Sequence, residues 1–170
     1  ITLTTADACA ATNATTTCTT QVTQDYCGDI FVAPTGTAGF ATAPNDANAG
    51  GPTNPVASIR QAVTLAASAL GARNHIRVLS GNYTDFGATP ISLVNNVTID
   101  GDYQIVAGEW VKNSSLVTNI AINFAAEFSA TTGSNDIEHG IGFKANGVSG
   151  WTLQDLGIST AAMTGTTPSG

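Results

Sequence analysis

The sequence predicts a mainly β fold with a single helix, on three observations. Thr and β-branched apolar residues, which suit pleated strands, recur throughout the 170 residues. Gly, Asn and Asp, the turn formers, bound one short apolar segment after another. The third is spacing: Val78, Thr98, Ile120 and Phe143 step by roughly twenty to twenty-three residues, within the range of solenoid repeats. With 42% hydrophobic residues the chain can fill one core, and its length asks for one domain.

From the N-terminus, residues 1–29 form a Thr-rich leader with weak alternation, as in Ile1-Thr2-Leu3-Thr4. It suits a hairpin or an extended strand. The leader holds all three cysteines, Cys9, Cys18 and Cys27. Their spacing is too wide for a zinc knuckle, and no His or Cys partner follows closely. One structural disulfide in an exported protein is expected, with the pairing open and the third thiol free or joined to another chain. The start at Ile1, not Met, fits a mature product whose targeting segment was removed.

Residues 30–170 carry the folded body. Ile30-Phe31-Val32-Ala33 reads as a strand stopped by Pro34, and Thr35 to Pro55, without periodicity, as a long surface loop. A helix is expected near 55–70, with Asn54 as cap, Pro55 in the first turn and Gly71 ending it. Val56, Ile59, Val63 and Leu70 would form its buried stripe. Six short strand candidates follow: Ile76 to Leu79, Ile91 to Val94, Val97 to Ile99, Leu116 to Ile122, Ile141 to Phe143 and Trp151 to Leu153. Most alternate with period two, the mark of half-buried strands.

Charge narrows the partners. Only 10% of residues are charged, against roughly 25% in an average domain. The formal net charge is −7, with Arg60, Arg73, Arg77, Lys112 and Lys144 as the only Lys or Arg. Nucleic acid and anionic lipid both require clustered cations, and none are clustered here. No run approaches the ~18 apolar residues of a membrane-spanning helix.

Several segments in order carry a family resemblance. Ile30-Phe31-Val32-Ala33-Pro34-Thr35-Gly36 resembles the first strand of pectate-lyase-like right-handed β-helix proteins, and Pro55 to Val63 resembles their capping helix. Arg77-Val78-Leu79-Ser80-Gly81-Asn82-Tyr83 is similar to the next strand and its Gly-x-Tyr turn, and Val97 to Tyr103 to the following coil. Val148 to Ile158 is similar to a further generic coil. The resemblance runs from Ile30 over most of the chain. It implies a right-handed parallel β-helix (solenoid) with one N-terminal capping α-helix. Room for three to five coils makes the chain look like the beginning of such a helix, so further coils of a larger protein, or self-association, are the expected partners.

A lyase of this kind would need calcium-binding carboxylates and a basic residue to take a proton. Asp100 and Asp102, and in a second group Asp136 and Glu138, are the candidate Ca2+ ligands. No basic residue stands in a recognisable lyase context. His75 and His139 lack a nucleophile elbow, and Gly50-Gly51 lacks the lysine of a phosphate loop. Trp110 is the candidate for stacking on sugar, with core packing its more expected role, whereas Trp151, alternating with Leu153, reads as core. Asn13, Asn82, Asn96 and Asn113 head N-x-Ser/Thr sequons and are glycosylation candidates. The expectation is a non-enzymatic, secreted or cell-surface structural or adhesive module, able to self-assemble into a filament. The alternatives are the N-terminal part of a polysaccharide lyase or hydrolase, and a carbohydrate-binding module.

Overall fold

The computed structural model describes residues 26–86, 90–122 and 142–160. Among these lie one helix and ten strands, joined mostly in parallel. The first sheet aligns β1 (Asp29–Val32), β2 (His75–Leu79), β5 (Thr98–Val106) and β9 (Thr152–Gln154) in parallel. The second aligns β3 (Gly81–Phe86), β7 (Thr118–Ile122) and β10 (Gly157–Thr160), and the third pairs β4 (Ile91–Ser92) with β8 (Phe143–Lys144). The chain visits the sheets in a fixed order: β2, β3, β4, then β5, β7, β8, then β9, β10.

Strand alternation explains the core. Ile30, Ile76, Ile99 and Leu153 share one register row, and Val32 and Val78 the next. Tyr83, Ile120 and Ile158 form a row of the second sheet, and Ile91 and Phe143 a row of the third. Apart from the last-paired Leu153, Ile158 and Phe143, these side chains are buried in one cluster. Each fully buried Ile or Val contributes roughly 1.5–3 kcal/mol relative to an exposed one.

The helix α1 (Ile59–Ser68) closes this cluster beside β1, with Ile59, Ala62, Val63 and Ala66 buried. It begins later than its sequence suggests. Ser58 is the cap: its hydroxyl accepts from Gln61 N–H at 3.1 Å and donates to Asp46 Oδ2 at 2.8 Å. Asp46 Oδ1 also accepts from the Ala57 and Ser58 N–H groups. Asn54 and Val56 instead belong to the preceding loop, where Val56 bridges Val32. Leu70 is 94% exposed with φ 49°, beyond the helix end, so Ala66 and not Leu70 completes the buried stripe.

The spacing of Val78, Thr98, Ile120 and Phe143 is likewise corrected. Thr98 pairs with His75, Ile120 lies in the second sheet and Phe143 in the third. Three strands were not foreseen, the first being β3, whose sequence reads as a Gly-x-Tyr turn. β6 (Glu109–Lys112) folds back on β5 as an antiparallel hairpin, and β10 continues the second sheet. Gly101 sits where backbones meet: a Cβ there would come within 2.1 Å of Asp155 O and 2.9 Å of Thr118 Cβ.

Candidate functional site

The outward face of the first sheet gathers Asp29, His75, Arg77 and Asp100 in one place. Alternation that sends Ile30, Ile76 and Ile99 inward sends Asp29, His75, Arg77 and Asp100 outward. Phe31, Arg77, Asp100 and Gln154 are direct register neighbours, as are Asp29 and His75. Like-charged neighbours across strands are therefore avoided, and opposite charges meet.

Each group finds a partner. Arg77 Nε donates to Asp29 Oδ2 at 2.6 Å, both side chains being about nine-tenths buried. His75 Nδ1 lies 3.1 Å from Asp29 Oδ1, and its Nε2 lies 3.6 Å from Asp100 Oδ2. Asp100 accepts from the Tyr103 hydroxyl at 2.8 Å and from Lys112 Nζ, which also pairs with Asp155. The Arg77 guanidinium lies against two rings, 5.3 Å from Tyr26 and 5.2 Å from Tyr103, in cation–π contact.

Burial alone would raise the Asp100 carboxyl, but hydrogen bonds from Lys112, Gln154 and Tyr103 outweigh it and hold the group below its ordinary range. Burial would lower Lys112, yet its bonds to Asp100 and Asp155 leave it raised. Burial and the bond to Asp100 push the Tyr103 phenol well up. Burial, then the bond to Glu109, raise Tyr26. The resting arrangement is thus carboxylate, ammonium and neutral phenol locked together.

Next to this network the same face is covered by aromatic packing. Phe31, Ala33, Leu79, Tyr103 and Trp110 form a second buried cluster, flanked by Tyr26, Phe40 and Ile105. The hairpin β5–β6 brings Trp110 over Phe31 at 4.8 Å between ring centres, and the loop brings Phe40 to 5.8 Å. Trp110 Nε1 donates to Pro52 O at 2.9 Å. At 1% exposure, Trp110 offers no free face to a sugar and fills the core instead, the other role open to it in the sequence. Trp151, expected in the core, is 43% exposed.

The calcium candidates do not converge. Asp100 is held by a cation and a phenol, while Asp102 Oδ1 accepts from Thr118 N–H at 2.8 Å and braces a corner. An ammonium beside Asp100 opposes a divalent ion, and among the described residues no group of three or more His, Cys, Asp or Glu side chains is placed to hold a metal ion. Asp136, Glu138 and His139 lie outside the described residues.

The remaining cations are structural or peripheral. Arg73 clamps β1 to the loop, donating to the carbonyls of Asp29, Ala49 and Gly50; burial lowers its pKa. Arg60 Nη1 donates to Pro90 O at 3.3 Å, and Lys144 is exposed on β8. Cys27 is disulfide-bonded, whereas Cys9 and Cys18 lie outside the described residues. Of the sequons, Asn13 lies outside too; Asn82 is exposed and accepts from Asn119, Asn96 is exposed in a left-handed turn, and Asn113 Oδ1 accepts from Ser115 N–H.

No protein family, no curated protein and no solved structure matches the chain.

Proposed function

We propose that the chain is a non-enzymatic extracellular structural or adhesive module, built as a right-handed parallel β-helix with α1 capping its N-terminal end. The fixed order in which the chain revisits three parallel sheets supports the architecture, as do the register rows of Ile and Val that run through successive rounds. A right-handed crossover is the general rule for parallel strands. The disulfide at Cys27 and the low charge fit an oxidising, extracellular setting.

One observation carries the functional part. On the outward face of the first sheet the carboxylates and cations are bonded to one another, and the adjoining surface is filled by Trp110, Phe31 and Phe40. A general base needs a free lone pair within reach of substrate, and here Lys112 is held charged by two carboxylates.

A polysaccharide lyase is the second reading, favoured only by the presence of Asp, Arg, His and Lys together on that face. Incubation with pectate and with alginate, with calcium present, separates the two. Ultraviolet absorbance from unsaturated chain ends is expected to stay at the level of buffer. A rise that Lys112→Met abolishes would overturn the structural reading in favour of the lyase.

A further inference from the structure

Between β8 and β9 the chain is fixed at both ends and free in the middle. Leu93 N–H donates to Lys144 O at 2.8 Å, which holds the end of β8. On the far side, Ser149 O accepts from Asn96 N–H and Ser149 N–H donates to Asn95 Oδ1, each at 2.9 Å. Val148 beside it packs against the core. Ala145, Asn146 and Gly147 lie between these anchors, and all three are exposed. Among the described residues, neither the Asn146 carboxamide nor the Gly147 N–H has a hydrogen-bond partner.

Asn146-Gly147 is the only Asn-Gly step in the chain. Such a step can react with itself. The backbone nitrogen of the second residue attacks the carboxamide carbon of the first, the Cγ–Nδ2 bond breaks, and ammonia leaves with the amide proton. A succinimide ring remains. One water opens it at either carbonyl, giving an aspartyl or an isoaspartyl residue, and nothing is oxidised or reduced. Glycine favours the attack because no Cβ shields its nitrogen. Gly147 stands at φ +67°, with open space where a Cβ would point.

We propose that Asn146 is a self-modifying site, which the fold leaves open while it restrains comparable steps elsewhere. Asn113, followed by Ser114, has its carboxamide fixed by Ser115 N–H, which donates to Oδ1 at 3.0 Å. Asn48 Nδ2 donates to the carbonyls of Ala43 and Pro55. Asn54 precedes Pro55, which has no N–H with which to attack. Asp100-Gly101, the only Asp-Gly step, could close the same ring with loss of water, but its carboxyl is buried and held by Tyr103 and Lys112. Exposed, unbonded backbone is where local opening costs least, and only Asn146 has both properties beside a glycine. Conversion places a carboxylate two residues from exposed Lys144 and takes the formal charge one unit beyond −7. The isoaspartyl form also adds one carbon to the backbone, a change that falls within the free segment and not at Lys144 or Ser149.

Peptide mapping of the full chain tests this, after incubation at mildly alkaline pH, folded in one arm and unfolded in guanidinium chloride in the other. Mass spectrometry reads the gain of one mass unit at each Asn, and ion exchange reads the added charge. The unfolded arm sets the time scale. In the folded arm Asn146 is expected to convert within about threefold of its unfolded rate, and Asn113 about tenfold or more below its own. Asn146→Gln, which would have to close a larger ring, is expected to abolish the change at this position. Gly147→Ala is expected to slow it severalfold, and both variants should keep the wild-type circular dichroism. Folded-state conversion of Asn146 slower than its unfolded rate by more than that threefold would overturn the proposal. So would conversion of Asn113 or Asn48 ahead of it.

Discussion

The Arg77–Asp29 pair offers a quantitative test of what binds β1 to β2 on the outward face. The perturbation is a double-mutant cycle of Arg77→Met, Asp29→Asn and the two together. Both side chains are nearly dry, at 10% and 8% exposure, and 2.6 Å apart. Removing one partner from such a pair costs about 3–5 kcal/mol, because the charge left behind is neither hydrated nor paired. In Arg77→Met that charge is Asp29, which keeps His75 at 3.1 Å. Met retains packing on Tyr26 and Tyr103 but forfeits two cation–π contacts of about 0.5–1 kcal/mol each. A loss of about 4 kcal/mol is expected. Asp29→Asn keeps the shape and leaves the Arg77 charge between two ring faces, for a loss of about 3 kcal/mol. In the double variant neither charge is present, and the loss should fall to about 2 kcal/mol or less, since a neutral pair of similar volume needs no hydration. The coupling is then about 5 kcal/mol, and anything above about 2 kcal/mol supports the pairing. Urea denaturation followed by tryptophan emission gives each stability by linear extrapolation. Single losses that simply add in the double variant, with coupling under about 0.5 kcal/mol, would refute the claim that carboxylate and guanidinium act as a unit.

Four further outcomes follow from the same structure. The Asp100 carboxyl sits below its ordinary value of 3.8, so its stabilisation is full above that pH and lost as pH falls through the lower folded value; acid titration of the urea midpoint should show this loss, and Asp100→Asn should flatten it. Lys112 and Tyr103 are raised above 10.5 and 10.0, so their share is full below those values and lost as alkaline pH climbs through the folded ones. Trp110→Ala should cost about 3–5 kcal/mol as a buried aromatic truncation, and iodide should quench Trp151 but not Trp110 in single-tryptophan variants. Gly101→Ala should cost about 1–3 kcal/mol or more, because its Cβ would collide with Asp155 O; equal denaturation midpoints for the variant and wild type would refute the close approach.

Much of the strand inventory was legible because period-two alternation is local. Ile30 to Ala33, Ile76 to Leu79 and Leu116 to Ile122 each alternate or run apolar between turn formers, and each contains a strand. The helix was legible as an element but its start was not. Asn54 and Pro55 look like a cap and first turn, yet Asp46, distant in sequence, supplies the bonds that fix Ser58 as the cap. The charged network was the least legible part. Asp29 lay in the supposed leader, Arg77 in a strand, and Asp100 in a turn whose carboxylates were only candidate calcium ligands. Only the register of β1, β2 and β5 puts them side by side. A signal existed, because aligning Ile76 with Ile99 places Arg77 opposite Asp100; the alignment of Val78 with Thr98 concealed it.

These departures share a physical direction. A stack of parallel strands offers two kinds of surface to a partner, its faces and its ends. Here the outward face of the first sheet spends its charges internally, and the β5–β6 hairpin and the loop carrying Phe40 and Pro52 close over what is left. Ion pairs of this sort contribute little net stability over apolar substitutes, but they penalise any slip of register that would leave a charge facing an apolar neighbour. Arg77 opposite Phe31 and Asp100, with Asp29 one row away, fixes the alignment of three strands at once. Precise alignment there carries the apolar rows in step as far as half-buried Leu153 on β9. The charged face of the first sheet therefore serves to set the register of β1, β2 and β5.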